Sequence, residues 1–115
     1  MKIKKDGHSD VIDLSDRGLE KATKEILIGP EEGAPNFVLR RFTLESGGCT
    51  PFHAHDWEHE VFILQGNGKL RSKDGDHEIK SGDSVFVSTN EKHQFHAGEE
   101  GMQFLCIVPK RGEED

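Results

Sequence analysis

The chain has 115 residues, which suits a single domain, and only 32% of them are hydrophobic. Asp and Glu number 22 against 15 Lys and Arg, so the net charge at pH 7 is -7. Because proteins that bind nucleic acid or anionic membranes present basic surfaces, this balance argues against both kinds of partner. A core of this size is too modest to hide every apolar strand, so we expect a homodimer.

Targeting signals and membrane spans are absent from the sequence pattern. No apolar run approaches the roughly 20 residues of a membrane helix. The basic N-terminus, Met1 to Gly7, is not followed by the apolar stretch of a signal peptide, so we expect a cytoplasmic protein. Cys49 and Cys106 form no CxxC pair and are expected to be reduced, partly buried thiols.

In chain order, a polar and weakly patterned segment (residues 1–24) precedes a long series of short apolar runs, and a charged tail follows. Turn sequences that include most of the 13 glycines separate these runs. Short strands with closely spaced turns predict an all-β antiparallel sandwich or barrel. The predicted strands are residues 25–28, 37–44, 49–55, 59–65, 69–72, 77–80, 84–87, 93–97 and 102–108.

The predicted strand at residues 61–64, Val-Phe-Ile-Leu, is apolar on both faces. An antiparallel sheet normally exposes one of its faces to water. The second face of this strand should therefore be covered by another sheet or by a partner subunit.

The histidines are unusually frequent, with seven in the chain, and five of them fall in two groups. His53, His55 and His59 lie within seven residues, and His93 and His96 follow further along. Residues i and i+2 of a strand share a face, so His53 and His55 should point the same way. Converging neutral imidazoles are ligands for transition metals, and the pattern predicts a metal site.

A peptidase motif competes with this interpretation. The segment from His55 to His59 matches H-x-x-E-H, in which two histidines of a helix bind zinc. The flanking sequence opposes a helix, because Gly47, Gly48 and Pro51 precede the motif and Gly66 follows the next apolar run. We therefore favour strands around these histidines and not a zinc peptidase.

The spacing of these residues resembles the cupin family. Gly47 is followed by five residues, His53-Ala54-His55, three residues, His59, six residues and Gly66, which is similar to the first cupin motif. The spacing of the second cupin motif is matched by Gly82, five residues, Ser88-Thr89-Asn90, two residues, His93, three residues and Ala97.

This resemblance covers roughly residues 25–110 and implies a single cupin domain spanning residues 1–115, with residues 111–115 as a tail. The implied fold is a double-stranded β-helix, or jelly-roll barrel, of antiparallel strands. The flanking sequences are similar to the small single-domain manganese cupins, in which histidine replaces the glutamate of the motif.

The resemblance implies four metal ligands: His53, His55, His59 and His93. Glu60 is an alternative third ligand, because it fits a longer spacing allowed by the motif. Counting back from Gly66 selects His59, and Glu60 would face the other side of the strand. His96, and likewise His8 and His77, are expected on the surface.

The implied cofactor is one divalent transition metal per chain. The resemblance favours Mn or Fe, whereas Zn, Ni, Co or Cu also suit imidazole ligands. Four neutral ligands leave two positions of an octahedral shell open for a substrate or for substrate and O₂.

Three further residues are predicted to line the substrate pocket. Strand alternation places Phe104 and Cys106 on one face of the last strand, and Arg40 shares a face with its neighbours Val38 and Phe42. Arg40 could pair with a substrate carboxylate. Trp57 is expected in the loop at the mouth.

Three functions fit this pattern. The first is a dioxygenase-like, metal-dependent oxidoreductase acting on a small organic substrate. The second is a non-redox isomerase or lyase, and the third is a module that binds a small ligand without turnover. The fold cannot choose among them, because cupins perform many unrelated reactions.

Overall fold

The computed structural model describes residues 1–15 and 19–114, and most of these residues lie in β-strands. A short 3-10 helix occupies Pro30–Glu32, and one α-helix, α1, occupies Lys110–Glu114. Seven strands are found in the described part of the chain: β1 (Ile12–Asp13), β2 (Glu20–Ile28), β3 (Phe37–Cys49), β4 (His59–Ser72), β5 (Gly75–Lys80), β6 (Ser84–Val87) and β7 (Gln94–Pro109).

The strands form one sheet in the order β1-β2-β3-β7-β4-β5, and β6 also pairs with β4. Every pairing between the described strands is antiparallel. These pairings confirm the all-β antiparallel fold that the short strands and frequent turns predict.

The core lies on the inner face of this sheet, where alternate residues of β3, β4 and β7 meet. Val38, Leu44, Ile63, Phe104 and Val108 are almost completely buried. Their period of two follows from strand geometry, in which successive side chains point to opposite faces. The sequence alternation in these strands therefore decides which side chains enter the core.

Glycines allow β4 and β7 to bend together. Both strands lose register near Gly66 and Gly68, which face residues 96–102 of β7. Gly66 has a φ of 80°, and a β-carbon there would overlap the carbonyl oxygen of Gly101. A β-carbon at Gly68 would likewise overlap the carbonyl oxygen of His96. The close approach of these backbones requires residues without a side chain.

The observed strands are longer than the predicted ones. Predicted strands 59–65 and 69–72 are the single strand β4, and predicted strands 93–97 and 102–108 are the single strand β7. The glycines between them mark bulges within a strand, not turns between two strands. Predicted strand 84–87 matches β6.

The predicted strand 49–55 is wrong for most of its length. β3 ends at Cys49, and only an isolated bridge between His53 and His93 follows. Pro51 explains the break, because proline has no N–H to donate to a sheet.

Both ends of the chain contribute more to the packed structure than their polar composition indicates. In the N-terminal segment, β1 pairs with β2, and Leu14 is buried in the core. At the C-terminus, the expected tail is the helix α1, although Asp115 lies outside the described residues. The boundaries at residues 25 and 110 therefore underestimate the packed part of the chain.

The outer face of β4 is uncovered in the described structure. Val61 and Ile63 are buried, whereas Phe62 points outwards and is 43% exposed. Phe86 and Ile107, on the adjacent strands β6 and β7, are also exposed. No helix among the described residues has the length and apolar character needed to cross a membrane.

Candidate metal centre and its cavity

A backbone bridge brings two predicted ligands together from distant parts of the chain. The N–H of His53 donates to the carbonyl of His93 at 3.1 Å, and the N–H of His93 donates back at 2.9 Å. The bridge places the imidazole centroids 5.1 Å apart. His93 thus lies beside the His-x-His pair although 37 residues separate it from His55.

The imidazoles of the His-x-His pair face the same space, as predicted, although His53 forms only an isolated bridge and the pair is not in a strand. The imidazole centroids of His53 and His55 are 4.1 Å apart, and their Nε2 atoms are 3.2 Å apart. One ring nitrogen from each of His53, His55 and His93 lies within 4.8 Å of the other two. These three histidines could hold a metal ion.

His59, the first residue of β4, lies beside this group, although the three histidines whose ring nitrogens all lie within 4.8 Å of one another do not include it. Its centroid is 5.2 Å from those of both His55 and His93. Its Nδ1 lies 3.3 Å from the Sγ of Cys106, and its buried Nε2 has no hydrogen-bond partner among the described residues. Glu60, the alternative ligand, is exposed on the opposite face of the strand.

The tautomer of His93 is set by its own loop. The Nδ1 of His93 lies 2.8 Å from the carbonyl oxygen of Glu91, which can only accept a hydrogen bond. Nδ1 must therefore carry the proton, and Nε2 keeps its lone pair. A backbone carbonyl that fixes one nitrogen in this way is a frequent partner of metal-binding histidines.

Burial keeps three imidazoles of the cluster neutral. Desolvation, reinforced by the neighbouring histidines, lowers the pKa of His53 to about 4. Desolvation, followed by the charges of His93 and Arg40, lowers the pKa of His59 to about 3. Desolvation also lowers the pKa of His93, although its hydrogen bond to Glu91 opposes the effect. At pH 7 these rings can therefore donate lone pairs.

The cluster lines a cavity of about 470 Å³ inside the barrel. This volume is in the usual range for a small-molecule site. Phe42 stacks on Phe104 with centroids 5.3 Å apart, and Phe95 stacks on Phe104 at 4.7 Å. The three rings give the cavity an aromatic wall.

The three predicted pocket residues all line this cavity. The Nη2 of Arg40 donates to the Sγ of Cys106 at 3.0 Å, and burial raises the pKa of the Cys106 thiol. Arg40, Cys106 and His59 thus form one chain of contacts. His96, His8 and His77 are exposed and stay outside the cluster.

Sequence reasoning missed two charged residues of the cavity. Lys24 lies in β2 and is buried, and Glu113 lies in α1 beside it. Lys24 alternates with the buried Ala22, and that period was a usable signal. Nothing in the local sequence of Glu113 indicates its position. Trp57, expected at the mouth, lines the cavity and stacks on His55 at 4.6 Å.

A wider groove of about 800 Å³ lies on the sheet formed by β4, β5 and β7. It is lined mainly by charged and polar side chains, including Lys69, Arg71, Asp76 and Glu78. Of the histidines described in the structure, only His96 lines it. The groove therefore lacks the ligand cluster and aromatic wall of the inner cavity.

Several known proteins are similar to this chain. The polyketide cyclase RemF from Streptomyces resistomycificus is 31% identical, with a TM-score of 0.88 over 95% of this chain and 79% of RemF. A protein described as a predicted oxalate decarboxylase from Thermotoga maritima is 25% identical, with a TM-score of 0.73 over 89% of this chain and 91% of that protein.

Among curated proteins, the L-ectoine synthase of Rhodococcus opacus (strain B4) is 26% identical over 87 residues. The match includes 74% of this chain but spans only 64% of the synthase. The profile of the cupin domain matches residues 40–108, which is more than half of the chain and includes all four clustered histidines. With its antiparallel barrel and this match, the chain belongs to the cupin family.

Proposed function

We propose that this protein is a metal-dependent enzyme that acts on a small organic substrate, with His53, His55, His59 and His93 as the metal ligands. The observation that carries the proposal is the convergence of these four imidazoles in one cavity of small-molecule size. His53, His55 and His59 lie close together in the sequence, whereas His93 is brought to them by the fold.

The closest pair of donor atoms in the cluster has the spacing that one transition metal requires. Two nitrogens bound at about 2.1 Å to one metal lie roughly 3.0 to 3.4 Å apart, and the Nε2 atoms of His53 and His55 are 3.2 Å apart. A buried nitrogen without a hydrogen bond is costly, and a metal would satisfy the Nε2 of His59. The fixed tautomer of His93 leaves its Nε2 available.

The four proposed ligands also determine the net charge of the metal site. Four neutral imidazoles would leave the full charge of a divalent ion in place and attract anionic or carbonyl oxygens. A bound metal would act as a Lewis acid that polarises such an oxygen. The aromatic wall of Phe42, Phe95 and Phe104 excludes water and suits a planar or unsaturated substrate.

The reaction that we favour is a non-redox ring closure. Its support is the likeness to RemF, a polyketide cyclase, which extends over 95% of this chain at 31% identity. A cyclase joins two atoms of one substrate. It therefore needs a group that activates a carbonyl of the substrate and a cavity that holds the substrate in a folded conformation. The histidine cluster and the aromatic wall supply these two elements.

The second candidate is the dioxygenase-like oxidoreductase with Mn or Fe that the sequence pattern suggests. The observation in its favour is the neutral donor set. An ion without a carboxylate ligand keeps more positive charge, and its divalent state is favoured over the trivalent one. Substrate and O₂ would both be needed for turnover.

Elemental analysis followed by turnover assays tests both candidates. Untagged protein is expressed in cells supplied with Mn, Fe, Zn, Ni, Co and Cu together, and we expect the purified protein to contain about one transition metal per chain. The protein loaded with each metal is then incubated with short poly-β-carbonyl compounds, with and without O₂. Mass spectrometry follows the products, and His93→Ala protein is the control.

Each outcome selects one interpretation. Loss of water from the substrate, at equal rates with and without O₂ and also with Zn, supports the cyclase. Turnover that requires O₂ and occurs only with Mn or Fe rejects the cyclase in favour of the oxidoreductase. Substoichiometric metal after reconstitution contradicts the metal centre itself and leaves a binding module.

A further inference from the structure

Two residues of the helix α1, Gly112 and Glu113, line the inner cavity. Arg111 donates to the Oδ1 of Asp56 at 2.8 Å and to the carbonyl of the same residue at 3.0 Å. Gly112 packs on the indole of Trp57, where an added β-carbon would lie 2.8 Å from Nε1. Two contacts thus tie five helical residues to the loop that holds the histidines.

Glu113 extends from α1 to two buried cations inside the cavity. Its Oε2 accepts from the Nζ of Lys24 at 2.7 Å, and its Oε1 accepts from the Nη1 of Arg40 at 3.3 Å. The side chains of Lys24 and Arg40 are only 10% and 9% exposed. One carboxylate therefore bridges a pair of cations that water scarcely reaches.

Strand pairing builds this cation pair. Lys24 of β2 lies opposite Phe42 of β3, and Arg40 is two residues from Phe42 on the same face. Diagonal neighbours of this kind are close enough for long side chains to share one ligand. The barrel framework, and not the helix, therefore positions both cations.

The buried cations need an anion whether or not α1 is in place. Leaving a buried charge without its partner is strongly unfavourable. If α1 moves away, Lys24 and Arg40 lose their carboxylate, and an anion from solution would replace it. Opening of the helix and binding of an anionic ligand should therefore be coupled.

Arg40 is only partly satisfied by Glu113. Its Nε is buried and has no hydrogen-bond partner in the described parts of the chain. Its contact with Glu113 through Nη1 is long, at 3.3 Å, and its Nη2 is on Cys106. A free carboxylate, not restrained by a helix, could approach Arg40 more closely and use more of its donors.

We propose that Lys24 and Arg40 form a carboxylate-binding subsite of the cavity, and that Glu113 occupies this subsite until an anionic substrate displaces it. The contact chain from Arg40 through Cys106 to His59 connects the subsite with the histidine cluster. The substrate class is thus a small carboxylic acid with a planar or unsaturated body. This inference rests on the proposed function, because it assumes that the inner cavity receives the substrate.

Intrinsic fluorescence tests the subsite, because Trp57 is the only tryptophan in the chain and α1 packs on it. Benzoate is titrated into metal-loaded protein, with benzamide as its uncharged counterpart. We expect benzoate to move the emission of Trp57 to longer wavelength as α1 leaves the indole. Benzamide should have no such effect, because it carries no charge to compete with Glu113.

Variants separate the internal competitor from the subsite. Glu113→Gln keeps the shape of the side chain and removes its charge, so benzoate should bind at least about tenfold more tightly than to the wild type. Glu99→Gln removes a charge from an exposed position and should leave the benzoate affinity unchanged. Lys24→Met should lose benzoate binding, and its fold is checked by circular dichroism.

Contrary results are easily recognised. The proposal is overturned if Glu113→Gln binds benzoate within twofold of wild type, or if benzamide binds as well as benzoate. Should Lys24→Met not fold, the comparison of Glu113→Gln with Glu99→Gln still decides.

A repeat with metal-free protein separates the two proposals. Tighter benzoate binding by metal-free Glu113→Gln supports the subsite even if no metal binds, and the proposed function then fails alone. A stoichiometric metal with no effect of Glu113→Gln rejects only the subsite.

Discussion

The imidazole of His93 shows how the fold fixes a single side chain of the candidate metal centre. The carbonyl of Glu91 holds the proton on Nδ1, and the backbone bridge to His53 fixes the position of the residue. The proton and the lone pair thus occupy defined nitrogens before any ligand arrives.

His93→Ala should weaken metal binding by more than about 100-fold. Removing a residue that only hydrogen-bonds to a metal ligand costs about 10- to 100-fold in affinity, and removing the ligand itself should cost more. The affinity is measured by competition with a chelator. His96→Ala, three residues along and exposed, is the matched control and should bind metal like the wild type. Equal affinities in the two variants would show that His93 is not a ligand.

The choice between His59 and Glu60 can be tested in the same way. His59 is 8% exposed and has an unpartnered Nε2, whereas Glu60 is on the outer face. His59→Gln should reduce metal affinity, and Glu60→Gln should not alter it. A larger effect of Glu60→Gln would revive the longer spacing of the motif.

The metal-free protein should lose stability as the pH falls from 7 to 5. The pKa of His53 is about 4 and that of His59 about 3 in the folded state, against 6.5 for an ordinary histidine. The unfolded chain therefore takes up protons first, and the contribution of neutral histidines is complete above pH 6.5 and declines towards the folded pKa values.

Urea unfolding of chelated protein at several pH values measures this effect. The double variant His53→Gln, His59→Gln should show a flatter dependence on pH, because its glutamines do not titrate. A wild-type stability that stays constant between pH 7 and 5 would contradict the burial of these histidines.

At the scale of elements, the long strands β3, β4 and β7 form most of the barrel, and they can do so because they bend at glycines. Local sequence could not show that Gly66 and Gly68 lie within one strand. Glycine is typical both of turns and of bulges, and only the pairing partner on β7 distinguishes the two. The alternation around them was readable, and the inward positions of β3 and β7 follow it.

Gly66→Ala should destabilise the fold more than Gly47→Ala. Both glycines have positive φ, which costs an alanine about 1 to 2 kcal/mol. Gly47 faces open space, whereas a β-carbon at Gly66 would also overlap the backbone of Gly101. Urea unfolding followed by circular dichroism compares the free energies of unfolding. Equal losses would mean that the strand corner relaxes without strain.

At the scale of the whole molecule, several apolar side chains are exposed together on the outer surface. Phe62, Phe86 and Ile107 lie on the adjacent strands β4, β6 and β7, and each is more than a third exposed. They surround the exposed Glu60, which pairs with both Phe86 and Ile107. Exposed apolar patches often mark contacts between proteins. The homodimer predicted from the apolar strand stays a prediction, and this patch is the interface that we propose.

Phe86→Glu should convert the dimer to a monomer, because it places a second carboxylate beside Glu60, and two unpaired like charges are costly to desolvate in an interface. Sedimentation velocity measures the oligomeric state. Val11→Glu, which places the same charge on another exposed apolar residue, should leave the dimer intact. Dissociation by both variants, or a monomeric wild type, would reject this interface.

Alternation and glycine placement were sufficient to predict an antiparallel β fold, because these patterns depend on the local geometry of strands and turns. The family came from the resemblance of the histidine spacing to the cupin motifs. Tertiary structure alone brought Glu113 onto Lys24 and Arg40, which are 89 and 73 residues away. Contacts over such distances depend on how distant strands pair and where the chain end packs. The fold class was thus readable from the residues in order, whereas the charged residues that line the cavity were brought together only by the tertiary structure.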